Sequence, residues 1–347
     1  MGGAGFVGAN LCVRLAAADW DVVAFDNLRR RGSELNLARL RAAGVMFVHG
    51  DVRSLDDVLA LGAADALVEC SAEPSVLAGI GGSPDYVVRT NLLGAYHCLE
   101  LTRRHGMQIV FISTSRVYPV ATLERARFAE RETRFEWADD QEIPGLSSRG
   151  VSETLPLDGA RTLYGASKLS AELLIAEYTE TYGVPSVVNR CGVIAGPWQM
   201  GKVDQGVFTF WLIAHVLGRD LQYIGYGGRG KQVRDMLHVD DLVDLVVAQL
   251  EDPQHWSGVT ANVGGGRDIS LSLQETTAFC RELTGNTVSV TAGEDARPGD
   301  LRIYLSDCTH LFGLTDWRPA RDARTILADT LEWIRANEDA VVAALSA

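Results

Sequence analysis

Short apolar runs recur along the first half of the chain, and most are followed by a longer segment with helical spacing. The runs at 21–26, 45–48, 65–70, 107–113 and 184–190 predict buried strands. The segments 34–43, 54–60, 85–105 and 163–182 predict helices. Strands and helices that alternate in this way build an α/β fold, a doubly wound parallel sheet with helices on both faces. With 347 residues the chain exceeds one ordinary domain, so a smaller C-terminal lobe is expected as well. The stretch 119–162 breaks the pattern, being rich in charge, Pro, Gly and Ser. A connection of this length is uncommon unless it is functional. The last stretch, Asp322 to Ala347, reads as an amphipathic closing helix.

Composition narrows the function classes. Hydrophobic residues make up 47% of the chain, enough for a sizeable core. The net charge is −13 and there is no long basic block, which argues against a nucleic-acid partner. Arg29-Arg30-Arg31 and Arg103-Arg104 are short runs of the kind found on solvated faces. Six cysteines (Cys12, Cys70, Cys98, Cys191, Cys280 and Cys308) show no C-x-x-C spacing and read as small core residues, with no metal site expected. No secretory signal or apolar span of about twenty residues occurs, so no membrane partner is expected and the cytoplasm is the expected compartment.

Four features carry chemistry. Gly2-Gly3-Ala4-Gly5-Phe6-Val7-Gly8 is a G-x-x-G-x-x-G run leading into a helix-like stretch, suited to a pyrophosphate at a helix N-terminus. Asp26 ends an apolar strand about twenty residues further on, where a carboxylate accepts from a ribose 2′-hydroxyl. Ser113-Thr114-Ser115 ends another strand, at the crevice side of a parallel sheet. Tyr164 and Lys168 stand four residues apart on one helix face. An ammonium beside a phenol is expected to lower its pKa, which suits proton removal from an alcohol as a nicotinamide takes the hydride. A fifth feature misleads. Gly225 to Lys231 fits G-x-x-x-x-G-K, but Gln232 stands where a P-loop needs Ser or Thr, and an extended segment follows.

In this order the four features resemble the extended short-chain dehydrogenase/reductase family, the NAD-dependent nucleotide-sugar epimerases and dehydratases. The resemblance covers nearly the whole chain and includes Gly50-Asp51-Val52, Asn91 and the C-terminal lobe. Within the family the chain is most similar to the CDP-paratose (CDP-tyvelose) 2-epimerases. The similarity lies in Phe25 to Gly32, Ser113 to Tyr118, Val203-Asp204-Gln205-Gly206, and Gly230 to Asp235. It implies a Rossmann-type NAD-binding domain over 1–192, with return segments near 233–265, and a mostly substrate-binding lobe over 193–347. It also implies a homodimer through helices 85–105 and 163–182.

The resemblance implies roles residue by residue. Thr114, Tyr164 and Lys168 are the catalytic set, with Tyr164 and Lys168 also on the cofactor. Gly2, Gly5, Phe6, Val7, Gly8, Asp26, Asn27, Arg29, Asp51, Val52, Ser71, Ala72, Asn91 and Val193 complete the NAD site. Glu73, Ser115, Arg116, Gln205, Arg234 and Arg302 face the nucleotide-sugar substrate, with Arg234 and Arg302 clamping its diphosphate. Dehydratases of the family have Asp-Glu where this chain has Ser115 and Arg116. The expected reaction is therefore epimerisation, at C2 of a CDP-hexose, by oxidation to a ketone and re-reduction. A dehydratase, a C4 epimerase and a catalytically silent NAD-binding protein are the alternatives. Val193 stands where many 4-epimerases have an Asn. His238, flanked by apolar residues, reads as structural.

A Rossmann unit needs a strand before its glycines. Here Met1 stands where the family has the Thr of V-x-x-T-G-G. The missing strand would lie mid-sheet. The expectation is a true start several codons upstream; the competing one is weak or absent NAD binding.

Overall fold

The computed structural model describes residues 1–201, 205–293 and 297–346. Val203 and Asp204, two of the residues that suggest the 2-epimerases, lie outside them. The first half reads α1 (Phe6–Ala16), β1 (Val23–Asp26), α2 (Asn36–Ala42), β2 (Met46–His49), α3 (Leu55–Leu59) and β3 (Ala66–Glu69). A helix then starts at Asp85, widens to π geometry over Arg89–Leu93 and continues as α4 (Gly94–His105). β4 (Gln108–Thr114), α5 (Leu163–Tyr182) and β5 (Ser186–Cys191) complete it. Every predicted strand and helix of this half is present. α5 starts where the Thr162 side chain accepts from the Gly165 N–H and stops at Gly183 in the left-handed region.

β3, β4 and β5 pair in parallel, and β9 (Val259–Val263) returns to extend the sheet beyond β5. β1 and β2 pair in parallel with each other. Between β1 and β3 the described residues supply only Met1–Gly3. The Gly3 N–H donates to the Phe25 carbonyl at 3.0 Å, and the Cys70 N–H donates to the Met1 carbonyl at 3.1 Å. One sheet face is covered by α1 and α7 (Val239–Glu251), with Leu11, Val110, Leu242 and Val246 in the core. The other is covered by α4 and α5, with Leu99, Phe111, Ala171 and Ile175.

The second lobe has its own core around α6 (Val207–Val216), α8 (Leu273–Thr284) and α9 (Ala323–Ala336), where Trp211, Leu212, Cys280 and Leu327 are buried. Its sheet joins β6 (Val193–Ala195), β8 (Val233–His238) and β10 (Ser270–Ser272), with β12 (Ile303–Tyr304) also on β8. A separate pair links β7 (Leu221–Ile224) and β11 (Val290–Gly293). β8 follows the P-loop look-alike directly, so that segment leads into a strand rather than a helix. The His238 ring caps α7, its Nδ1 accepting from the Asp240 N–H at 3.0 Å. The terminal stretch is α9 and a second short helix over Glu338–Ser346. No helix among the described residues is long and apolar enough to cross a membrane.

The stretch 119–162 is packed, not open. It holds a short helix (Val120–Glu124) and a hairpin, Phe128–Glu130 against Phe135–Trp137. Tyr118, Phe135, Trp137 and Leu155 form a core here with Tyr304 and Leu305 from far along the chain. Arg302 belongs to this core. Its guanidinium lies 4.2 Å from the Phe128 ring centre and 5.0 Å from that of Tyr226, and pairs with Glu124 at 3.2 Å.

A buried ion pair ties α5 to the sheet. Arg190 of β5 meets Glu172 of α5 at 2.7 Å, and Ser113 of β4 donates to the same carboxylate. Removing one member of such a pair strands the other charge. Glu172→Ala is expected to lower unfolding free energy by about 3–5 kcal/mol. The paired replacement Glu172→Leu/Arg190→Met should recover most of that loss in the same urea titration. Equal losses in the single and double variants would contradict this account.

Candidate active site

The glycine run leads directly into α1 and packs beside β1, where the Gly3 N–H donates to the Phe25 carbonyl. Gly2 takes φ +67° and Gly8 has no room for a side chain, since a Cβ there would stand 2.2 Å from the Gly2 carbonyl oxygen. Gly5 caps α1 without a side-chain bond, and the first turn carries no acid, so its N–H groups face the cleft. Asp26 holds the loop from below, Oδ2 accepting from the Ala4 N–H at 3.1 Å and Oδ1 from the Leu28 N–H at 2.8 Å. These residues line a cavity of about 340 Å³ that runs from the helix end to Thr114, Tyr164 and Lys168. The bare cradle, the exposed N–H groups and Asp26 fit a dinucleotide.

Phe6, Val7, Asn27, Val52, Ser71 and Ala72 also line this cavity. Other expected cofactor residues stand back from it. The Arg29 guanidinium lies 4.2 Å above the centre of the Tyr86 ring. Asp51 pairs with Arg53 at 2.6 Å and accepts from Asn27, which holds its carboxyl well below the usual range. Asn91 is buried; it accepts from the Glu73 N–H at 2.8 Å and donates to the Ser167 hydroxyl at 3.1 Å. It therefore fixes the loop after β3 against the helix of Tyr164. Val193 lines the neighbouring cavity instead, because β6 points it toward the second lobe.

That second cavity, about 210 Å³, lies between the lobes and is lined by Arg116, Arg234, Arg297, Asp300 and the apolar Phe208 and Leu271. Gln205 and Gly206 line both cavities. The Gln205 amide accepts from Arg30 and donates to Glu73 at 3.4 Å. Arg234 pairs with Asp300 at 2.6 Å. Ser115 is buried beneath the cleft rather than lining it. Arg302 is absent from both walls, its aromatic cage holding it in the 119–162 layer. Sequence reasoning missed Arg297 and Asp300. The signal was the Arg297-Pro298-Gly299-Asp300 turn, with charges on both sides of a Pro-Gly pair.

Tyr164 departs from the expected acidity. Burial pushes its phenol above the ordinary value, against a hydrogen bond with Thr114 and the Arg116 charge. The Lys168 ammonium turns inward, 3.7 Å from the centre of the Phe111 ring, and burial lowers its pKa against the pull of Glu69. All six cysteines are free, five of them buried. No cluster of three metal-binding side chains occurs among the described residues.

Residues 1–264 match the NAD-dependent epimerase/dehydratase family. The chain belongs to that family, its fold is the family's Rossmann-type α/β fold, and its cofactor is NAD. It is 29% identical to the CDP-paratose 2-epimerase of Salmonella typhi, over 96% of this chain and 97% of that one. It is 31% identical to the dTDP-glucose 4,6-dehydratase of Mycolicibacterium smegmatis, over 97% and 92%. Among solved structures it is similar to a double mutant of DesIV, a dTDP-glucose 4,6-dehydratase from Streptomyces venezuelae solved with NAD bound. That likeness has a TM-score of 0.78 at 26% identity, over 97% and 96% of the two chains.

Gly8→Ala tests the cradle. The added methyl must displace the Gly2 carbonyl, and NAD affinity measured by calorimetry is expected to fall at least about tenfold, the scale of one lost charge-assisted hydrogen bond. Unchanged affinity would remove the loop from the cofactor site.

Proposed function

We propose that the chain is an NAD-dependent nucleotide-sugar epimerase that inverts C2 of a CDP-hexose. The observation that carries this reading is Arg116, a cation in the wall of the inter-lobe cavity beside Tyr164, where the family's dehydratases have a carboxylate. Elimination of water needs an acid and a base at the sugar. Ser115 and Arg116 supply neither. The likeness to a CDP-paratose 2-epimerase supports the nucleotide and the carbon.

Bound NAD supplies a hydride acceptor that later returns the hydride. The protein's part is proton handling and orientation. The Tyr164 oxygen takes the proton of the hydroxyl being oxidised and gives it back after the ketone has presented its other face. Thr114, hydrogen-bonded to Tyr164, holds the same substrate oxygen. Lys168, one turn along the same helix, would hold the cofactor ribose, and its charge there would favour the phenolate. Arg234 and Arg297 bind the diphosphate, for which guanidinium forks are suited. Gly2, Gly5 and Gly8 receive the pyrophosphate and Asp26 the adenine ribose. The reading includes a homodimer: Leu93 and Tyr96 by α4 and Leu173 on α5 are exposed, on the two helices expected to pair.

Two measurements test this function. Tyr164→Phe should lower turnover on the order of 10²–10⁴-fold while NAD still binds. Because burial raises the Tyr164 pKa, the proton-accepting form is scarce at neutral pH and grows as pH rises. The wild-type kcat/KM is therefore expected to climb with pH through the neutral range, with no such limb in Tyr164→Phe. Activity near wild type in that variant would remove Tyr164 from the mechanism.

Turnover in deuterated water separates the reactions. Direct hydride return gives an epimer of unchanged mass without carbon-bound deuterium. A product lighter by one water, or deuterium on carbons beside the oxidised one, would identify a dehydratase instead.

A further inference from the structure

Arg116 sits closer to Thr114 and Tyr164 than a diphosphate ligand needs to sit. It follows Thr114 by two residues, and its N–H donates to the Thr114 hydroxyl at 3.2 Å. Its backbone is pressed against α5 one residue from Tyr164. A Cβ on Gly165 would stand 2.1 Å from the Arg116 carbonyl oxygen, so only glycine permits this approach. The guanidinium then reaches across the inter-lobe cavity, where Nη1 donates to the Gly299 carbonyl at 2.9 Å. Gly299 belongs to the turn that carries Arg297 and Asp300, and Asp300 holds Arg234. Burial and the Arg234 charge push the Arg116 guanidinium down to about 10, as expected of a cation with another cation nearby. An anion between them relieves that repulsion.

The backbone of Arg116 thus abuts Thr114 and Tyr164, and its charge, which faces the inter-lobe cavity, is felt at the Tyr164 phenol. Sugar chemistry makes the position consequential. In a hexose 1-diphosphate the anomeric oxygen carries the phosphate, and the C2 hydroxyl is its immediate neighbour. The C4 hydroxyl lies across the ring. A phosphate held next to the proton acceptor brings C2 to the hydride acceptor and leaves C4 beyond it.

We infer that Arg116 is the specificity-determining residue for which carbon is oxidised, acting as a ruler between the diphosphate and Tyr164. This inference rests on the epimerase reading above and goes beyond it, since that reading names the carbon without a residue that selects it. Arg116 binds through a planar fork and a fixed charge; of the three arginines that line the inter-lobe cavity among the described residues, it is the one whose charge bears on Tyr164.

The test uses NAD-loaded protein and a CDP-hexose with hydroxyls at both C2 and C4, deuterated at one carbon or the other. Wild type should slow with deuterium at C2, be indifferent to deuterium at C4, and give no C4 epimer by NMR. Arg116→Thr is expected to lose roughly 10- to 100-fold in kcat/KM, the scale of a charge-assisted hydrogen bond, and to release C4 epimer beside the C2 product. Arg116→Gln, nearer in shape, carries the same expectation and guards against misfolding of the smaller variant. Arg116→Lys should keep C2 selectivity at reduced rate. NAD titration reports whether each variant is folded. If both neutral variants hold kcat/KM within about twofold and make no C4 epimer, the ruler is overturned while the C2 reading stands. An isotope effect from C4 alone in wild type overturns both.

Discussion

The buried pair between Glu172 and Arg190 is the constraint on which the site depends. It lies one helical turn beyond Lys168 and two beyond Tyr164, so it fixes the rotation of α5 about its axis. Ser113 joins the same carboxylate from the strand that ends at Thr114. Arg190 reaches on to Tyr118, whose hydroxyl donates to Asn262 of β9. Five segments that supply or support the site are thus held by one network of hydrogen bonds centred on a charge pair. Such a network is costly to desolvate and costly to break. Its use is geometric, since hydride and proton transfer tolerate little misplacement.

Much of this was legible in the sequence because it rests on local rules. The ends of α5 follow from Thr162 and Gly183, and the strands from short apolar runs that both faces of a parallel sheet require. Gly2 to Gly8, Asp26, Thr114 and the Tyr164/Lys168 pair meet in one cavity, as their order along the chain implied. The illegible parts depend on distant partners. The hairpin over 128–137 is too short to show periodicity and owes its packing to Tyr304 and Leu305. Arg302 looked like a diphosphate ligand because its aromatic cage comes from three separate segments. Spacing put Lys168 on the face of Tyr164. It did not show that the ammonium rests on Phe111, or that burial outweighs charge at the phenol.

The two lobes divide the labour physically. The first lobe offers a helix end and glycines, which suit a ligand common to many proteins. The second offers arginines and an apolar slot, where small changes alter which ligand fits. Arg116 belongs to the first by sequence and to the second by reach. On the proposal above, that dual membership is the source of its leverage over selectivity.

Gln205 has a similar double position, on the walls of both cavities and bonded to Arg30 on one side and Glu73 on the other. Any passage of the dinucleotide along this rim disturbs the neighbouring chamber. In a reaction that ends with its oxidant restored, no such passage is required. On the proposed reaction the protein would carry its redox partner as a fixed part, and its throughput would be insulated from the balance of oxidised and reduced nicotinamide around it.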